Sequence, residues 1–396
     1  MSLADLFFSK QSRRQWLPRL GRRSSQPRPR KVLFETLESR LLLSGDPVSL
    51  VALEPVLASE PVAVVDLPEV ATADTRPTLP PQASSHAAEH SGGPVKAKIK
   101  HDVLTISGTV RDDQITLRLK AGAPTMLEVD VDNDGSEDFT FNRSKFDQII
   151  VELGEGNDLV RIDEANGIFT DTEKTTLDGE GGNDTLLGGS GAETLRGGDG
   201  NDTIDGNRGN DVALMGAGDD TFIWDPGDGS DTVEGQAGTD TLLFNGSNAN
   251  ENIDISANGS RVRFFRDIAN VTMDLNDVEH VHFNALGGAD TITVNDLTGT
   301  DVTQVTLDLA ATPGGATGDG QADRVIVNGT AGIDNITVAG NAAEVSVAGL
   351  AATVSITHAE FANDRLEINT LAGADTVNSA GLAPNVIQLF VDGVPV

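Results

Sequence analysis

The chain has 396 residues, of which 38% are apolar and only 4% aromatic, with no Tyr and 43 Gly. So few large side chains argue against one thick globular core and suit thin, regular stacks of short strands. A formal charge of −33 argues against nucleic acid or an anionic membrane as partner, and the lack of Cys excludes disulfides, thiolate metal sites and cysteine nucleophiles.

Residues 1–46 are basic, at +6, and rich in Arg and Pro. Within them, Leu37-Glu38-Ser39-Arg40-Leu41-Leu42-Leu43-Ser44 resembles the L-E-P-R-x-L-L-S motif that follows an Arg-rich stretch in many large exported bacterial proteins, with Ser39 at the Pro position. That resemblance implies a secreted or cell-surface bacterial protein. The stretch reads as a disordered export-signal-like arm. Residues 47–97 hold eight of the sixteen prolines and read as an extended linker. No stretch reaches the roughly 18 apolar residues of a membrane helix, so no membrane span is expected.

From Val103 onward, short β-branched runs alternate with Gly, Asn and Asp turns, and no helical period emerges. A large repeat occurs three times. It starts at Ile106, Phe244 and Val327, with Gly108, Gly246 and Gly329 two residues on, each followed five residues later by an acid, Asp113, Glu251 and Asp334. A second signature closes each copy: Gly156-Asn157-Asp158, Gly288-Ala289-Asp290 and Gly373-Ala374-Asp375. Apolar residues alternate ahead of it at Ile149 and Val151, Val281 and Phe283, and Leu366 and Ile368, which is strand spacing. These copies predict three β units, over 98–176, 244–324 and 325–396.

Between the first two units, residues 177–243 repeat with period nine. Asp184, Glu193, Asp202, Asp211, Asp220, Asp231 and Asp240 hold the sixth place. Leu186, Leu195, Ile204, Phe222, Val233 and Leu242 hold the eighth, and a two-residue insertion, Trp224-Asp225, interrupts the count once. The pattern resembles the G-G-x-G-x-D-x-U-x repeat of RTX, or hemolysin-type, calcium-binding proteins. The resemblance implies an all-β, calcium-dependent parallel β-roll or β-solenoid.

Physical chemistry assigns each place a task. The eighth residue points inward, glycines reach backbone angles that side chains forbid, and the acid stands at the edge. Two nonapeptides make one coil, so equivalent acids lie eighteen residues apart in sequence and one strand spacing, about 4.8 Å, apart in space. Asp184, Asp202, Asp220 and Asp240 then share one edge, and Glu193, Asp211 and Asp231 the other. Carboxylates that close repel by about 3 kcal/mol per pair at an effective dielectric near 20. Calcium, which binds oxygen at about 2.3–2.6 Å, would relieve that repulsion. Fifteen acids face two bases in 177–243, so this segment is expected to be disordered without calcium and folded with it. Ala213 is small for its inward place, and Met215 stands at a glycine position.

A second cation candidate is the loop Asp130, Asp132, Asp134 and Asp138, which resembles the D-x-D-x-D-G-x-x-D calcium loop. No H-E-x-x-H or G-x-S-x-G motif is present, and no catalytic residue is assigned. His280 and His282 share a strand face without an evident third ligand. Arg261, Arg263 and Arg266 form the one compact basic run of the body. The function read from the sequence is calcium binding in an exported structural or adhesive protein. The alternative is a polysaccharide-acting part of an extracellular hydrolase or lyase. The partner class is extracellular polysaccharide or cell-surface components.

Overall fold

The computed structural model describes residues 93–396. The basic arm, its export-like motif and most of the Pro-rich stretch lie outside the described residues. Within them the regular structure is nearly all β, arranged in one sheet of 15 strands and one of 14. Coils pass alternately from one sheet to the other, and the apolar side chains of both fill the space between them.

The nine-residue period is visible as parallel pairing. Leu177, Leu195, Ala213 and Val233 are successive partners in one sheet. Leu186, Ile204, Phe222 and Leu242 are successive partners in the other. All eight are fully buried. The offset is eighteen residues, then twenty across the insertion. The insertion is accommodated by Trp224, which turns inward, stacks on Phe244 at 4.0 Å and donates its indole N–H to the Gly229 carbonyl at 2.9 Å. Phe264 and Phe283 continue this aromatic seam into the next unit. Met215 is fully buried two residues after Ala213 on the same strand, beside the place where Ala213 is short.

The three large repeats share one plan. The strand that follows each first acid pairs in parallel with the strand that follows the matching second Asp: Gln114–Lys120 with Leu159–Asp163, Asn252–Asn258 with Thr291–Val294, and Asn335–Asn341 with Thr376–Leu382. Between them an antiparallel meander is inserted into the sheet, for example Arg261–Arg266 and Val271–Asn276. Ile149, Val151, Val281, Phe283, Leu366 and Ile368 are all buried, as their alternation requires.

Candidate metal centre

Every nonapeptide acid stands immediately before a short strand, at the edge where the chain turns from one sheet to the other. Strand geometry places these edges one above the next, and their acids form columns. In the first column the N–H of Asp184 donates to Asp202 Oδ1 at 2.8 Å, that of Asp202 to Asp220 Oδ1 at 2.7 Å, and that of Asp220 to Asp240 Oδ1 at 3.0 Å. In the second, Glu193 donates to Asp211 Oδ1 at 2.7 Å and Asp211 to Asp231 Oδ1 at 2.8 Å. One carboxylate oxygen of each coil thus satisfies a backbone amide that the turn would leave orphaned. A parallel column runs the other way: Asn183 donates its N–H to Asn157 Oδ1, Asn201 to Asn183, and Asp219 to Asn201.

The second oxygen is different. Oδ2 of Asp184, Asp202, Asp211, Asp220, Asp231 and Asp240 is buried without a hydrogen-bond partner. The cause lies four residues upstream. Glu180, Gly198, Asn207, Gly216, Gly227 and Gln236 all have positive φ, between 56° and 123°, and none of their amides bonds the carboxylate that follows. At four other acids the residue four before is not left-handed and its amide bonds the carboxylate, although Glu193 still keeps a bare Oε1. Gly189 donates to Glu193 at 2.9 Å, Thr109 to Asp113 at 2.6 Å, Thr330 to Asp334 at 2.7 Å and Ser247 to Glu251 at 3.2 Å. Glu180, Asn207 and Gln236 hold this conformation without being glycine, a backbone cost of order 1 kcal/mol each or more that persists only where the surroundings enforce it.

Burial is the main influence on these acids. It pushes Asp184 up to about 6, Asp202, Asp231, Asp240 and Glu193 to about 7, and Asp211 to about 9, with the amide bonds to their carboxylates pulling the other way. A buried carboxylate oxygen with no donor is costly unless a cation or proton reaches it.

The donor set suits calcium: hard carboxylate and carbonyl oxygens, with neither nitrogen nor sulfur required. A side chain added at Gly179 would meet both Asp184 Oδ2 and the Gly197 carbonyl, and one at Gly197 both Asp202 Oδ2 and the Met215 carbonyl. The bare oxygens of Asp184 and Asp202 therefore each lie beside a carbonyl of the following coil. Among the described residues no three Asp, Glu or His side chains converge on one point, so an ion here completes its shell with such carbonyls or water.

The other sequence candidates are placed otherwise. Asp130 Oδ2 is 2.6 Å from Arg118 Nη1 and also accepts the Gly135 N–H. Arg118 donates to the Gly135 carbonyl as well, so a guanidinium lies within the loop. Asp132, Asp134 and Asp138 are exposed and do not gather around Asp130. The His280 and His282 rings stack 5.9 Å apart, and burial lowers both below the usual imidazole range. The basic run is spent on internal pairs: Arg261 with Glu234 and Asp274, Arg263 with Asp254, and buried Arg266 with Glu251.

Asp158, which the sequence reading did not assign, is an acid of the same kind. Asp158 continues the first column, since its N–H donates to Asp184 Oδ1 at 2.8 Å and its Oδ1 accepts from Asp113 at 2.7 Å. Its Oδ2 is bare, and Gly154 four residues before it has φ 103°. The clue was in the sequence: Gly154, Gly156, Asp158 and Val160 fill places two, four, six and eight of a nonapeptide.

A family model described as the RTX calcium-binding nonapeptide repeat, in four copies, matches residues 176–192, 187–222 and 227–248. This segment carries RTX hemolysin-type repeats. RTX nonapeptide repeats bind Ca2+, and the bare carboxylate oxygens from Asp184 to Asp240 lie within the matched residues. No curated protein matches the chain. Among solved structures it is similar to the crystal structure of the extracellular lipase LipA from Serratia marcescens, at 11% identity and a TM-score of 0.17. That match covers 56% of this chain and 44% of the lipase chain, less than half its length.

Proposed function

We propose that the protein is an exported, non-catalytic structural or adhesive protein whose RTX segment folds around calcium held by Asp184, Glu193, Asp202, Asp211, Asp220, Asp231 and Asp240, with Asp158 extending the first column. The observation that carries this reading is the row of buried, partnerless Oδ2 atoms in phase with the repeat. Calcium supplies the positive charge those oxygens lack, and the chain supplies a second oxygen from the next coil. The protein's own residues orient the acids through amide bonds and exclude water by burial.

Secretion or cell-surface display accords with calcium of the concentration that extracellular modules use, about 10⁻⁴–10⁻³ M. A polysaccharide-acting alternative is disfavoured by the internal pairing of Arg261, Arg263 and Arg266, which leaves no free basic cluster in that run. The division into units at 98–176, 177–243, 244–324 and 325–396 is part of the proposal. So is the loop Asp130–Asp138 as a weaker cation site, in which calcium would compete with Arg118.

The test is a calcium titration of the purified chain by far-ultraviolet circular dichroism, with bound metal counted after dialysis. A gain of β signal with calcium, reversed by chelator, is expected. An unchanged spectrum and no bound calcium at millimolar concentration would overturn the reading.

A further inference from the structure

Fifty residues beyond Asp240, outside the nonapeptides, the bare-oxygen geometry recurs. Asp290 is 1% exposed and stands before the strand Thr291–Val294. Its Oδ1 accepts the Glu251 N–H at 2.8 Å, and its own N–H donates to Asp323 Oδ1 at 2.9 Å. Its Oδ2 has no partner. Four residues upstream Leu286 has φ 67°, a left-handed conformation that a leucine adopts at a cost.

The acids stacked around it are settled in other ways. Glu251 is taken by Ser247 and by the buried guanidinium of Arg266. Asp364 accepts amides on both oxygens, from Asp323 at 3.1 Å and Glu360 at 2.6 Å. Asp319 is not settled. Its Oδ1 takes the Gln321 N–H at 2.8 Å, but its Oδ2 is buried and partnerless, as in Asp290. The Asp319 turn is held beside this edge by the bond from Gly320 N–H to Glu360 Oε2 at 2.7 Å and by the seating of Asp323 on Asp290. Arg324 and Arg365, next in sequence to Asp323 and Asp364, both reach for Glu367 instead. Two buried carboxylate oxygens on neighbouring turns thus have neither a donor nor a paired cation, an arrangement that is unfavourable unless a positive charge is supplied.

We propose that Asp290 Oδ2 and Asp319 Oδ2 bind a divalent cation of the calcium class at this edge, outside the RTX repeats. Like charge from Asp323, Glu251 and Asp319 adds to burial in raising the Asp290 carboxyl, which marks the same lack of a counter-charge. Hard carboxylate oxygen donors select calcium over softer metals. The site differs from the nonapeptide sites in joining a column acid to a loop acid.

The experiment uses the full chain and calcium itself, with bound metal counted by atomic emission after equilibrium dialysis. Asp290→Asn keeps an oxygen for the Glu251 amide and removes the charge. Asp319→Asn does the same for Gln321 on a half-exposed turn, and decides the matter if Asp290→Asn fails to fold. Each variant, and the double variant, is expected to bind one ion fewer than the parent chain. A count that falls with Asp202→Asn but is unchanged in Asp319→Asn overturns this site and leaves the nonapeptide reading standing. A parent chain that binds no calcium overturns both.

Discussion

Asp202 Oδ1 caps the Asp184 amide, and the backbone N–H of Asp202 donates to Asp220, so one residue ties three coils and leaves its Oδ2 without a partner. Glu193 heads its column, and its carboxylate caps the local Gly189 amide rather than the amide of a stacked acid. Asp202→Ala orphans a buried amide, worth about 1–3 kcal/mol, in addition to weakening two coil-to-coil sites. It is therefore expected to lose more calcium and more stability than Glu193→Ala, although both remove one charge. Calorimetric stoichiometry and chemical denaturation of the two variants check this, and equal losses would contradict the column assignment. The same residues set a pH dependence in chelator. Their carboxyls rise from about 4 to between about 6 and 9, so the calcium-free fold prefers the proton. Below pH 4 both states are protonated and nothing is lost. As pH climbs toward 9 the unfolded chain ionises first, and calcium-free stability should fall across that window. Denaturation midpoints in chelator that rise with pH instead would refute it. At this scale the sequence revealed the acids and their phase. It did not reveal which oxygens are bare, because that depends on backbone handedness at Glu180, Gln236 and Leu286, residues with no intrinsic preference for it.

The strands were legible from alternation and from the eighth-place apolar residues. The turns explain why two repeat scales coexist: Gly108 and Asp113 of the large repeat stand in the same relation as Gly179 and Asp184 of the small one. Glycine is needed for different reasons at different places. Gly198 and Gly227 both have positive φ, 116° and 123°. A side chain at Gly198 would collide with the Glu180 carbonyl of the coil below, whereas one at Gly227 meets nothing within 4 Å. Gly198→Ala should therefore raise the calcium midpoint of folding well above that of Gly227→Ala, which carries only the left-handed strain of about 1 kcal/mol. Circular dichroism titrations of the two variants separate strain from collision. The antiparallel meanders were not legible, because period-two alternation gives a strand but not its direction. Nor was the occupation of the Asp130 loop, since Arg118 reaches it only through the antiparallel pairing of Gln114–Lys120 with Ala123–Val131.

Across the molecule, the bare carboxylate oxygens concentrate in the centre, while Asp113, Glu251 and Asp334 of the flanking units are satisfied by their own turns. Chelator should accordingly release the centre first. Hydrogen exchange is expected to show amides of 177–243 losing protection before those of Asn335–Asn341 and Glu344–Ala348, and simultaneous loss would mean the sheets open as one. The aromatic seam gives this event a built-in lamp. The chain has two Trp and no Tyr, and Trp224 is wholly enclosed and stacked on Phe244 where the repeats give way to the next unit. In a Trp16→Phe chain every photon of indole emission would come from that one ring. Blue, shielded emission that reddens as calcium is withdrawn would time the parting of the seam directly, in a protein otherwise almost dark in the near ultraviolet.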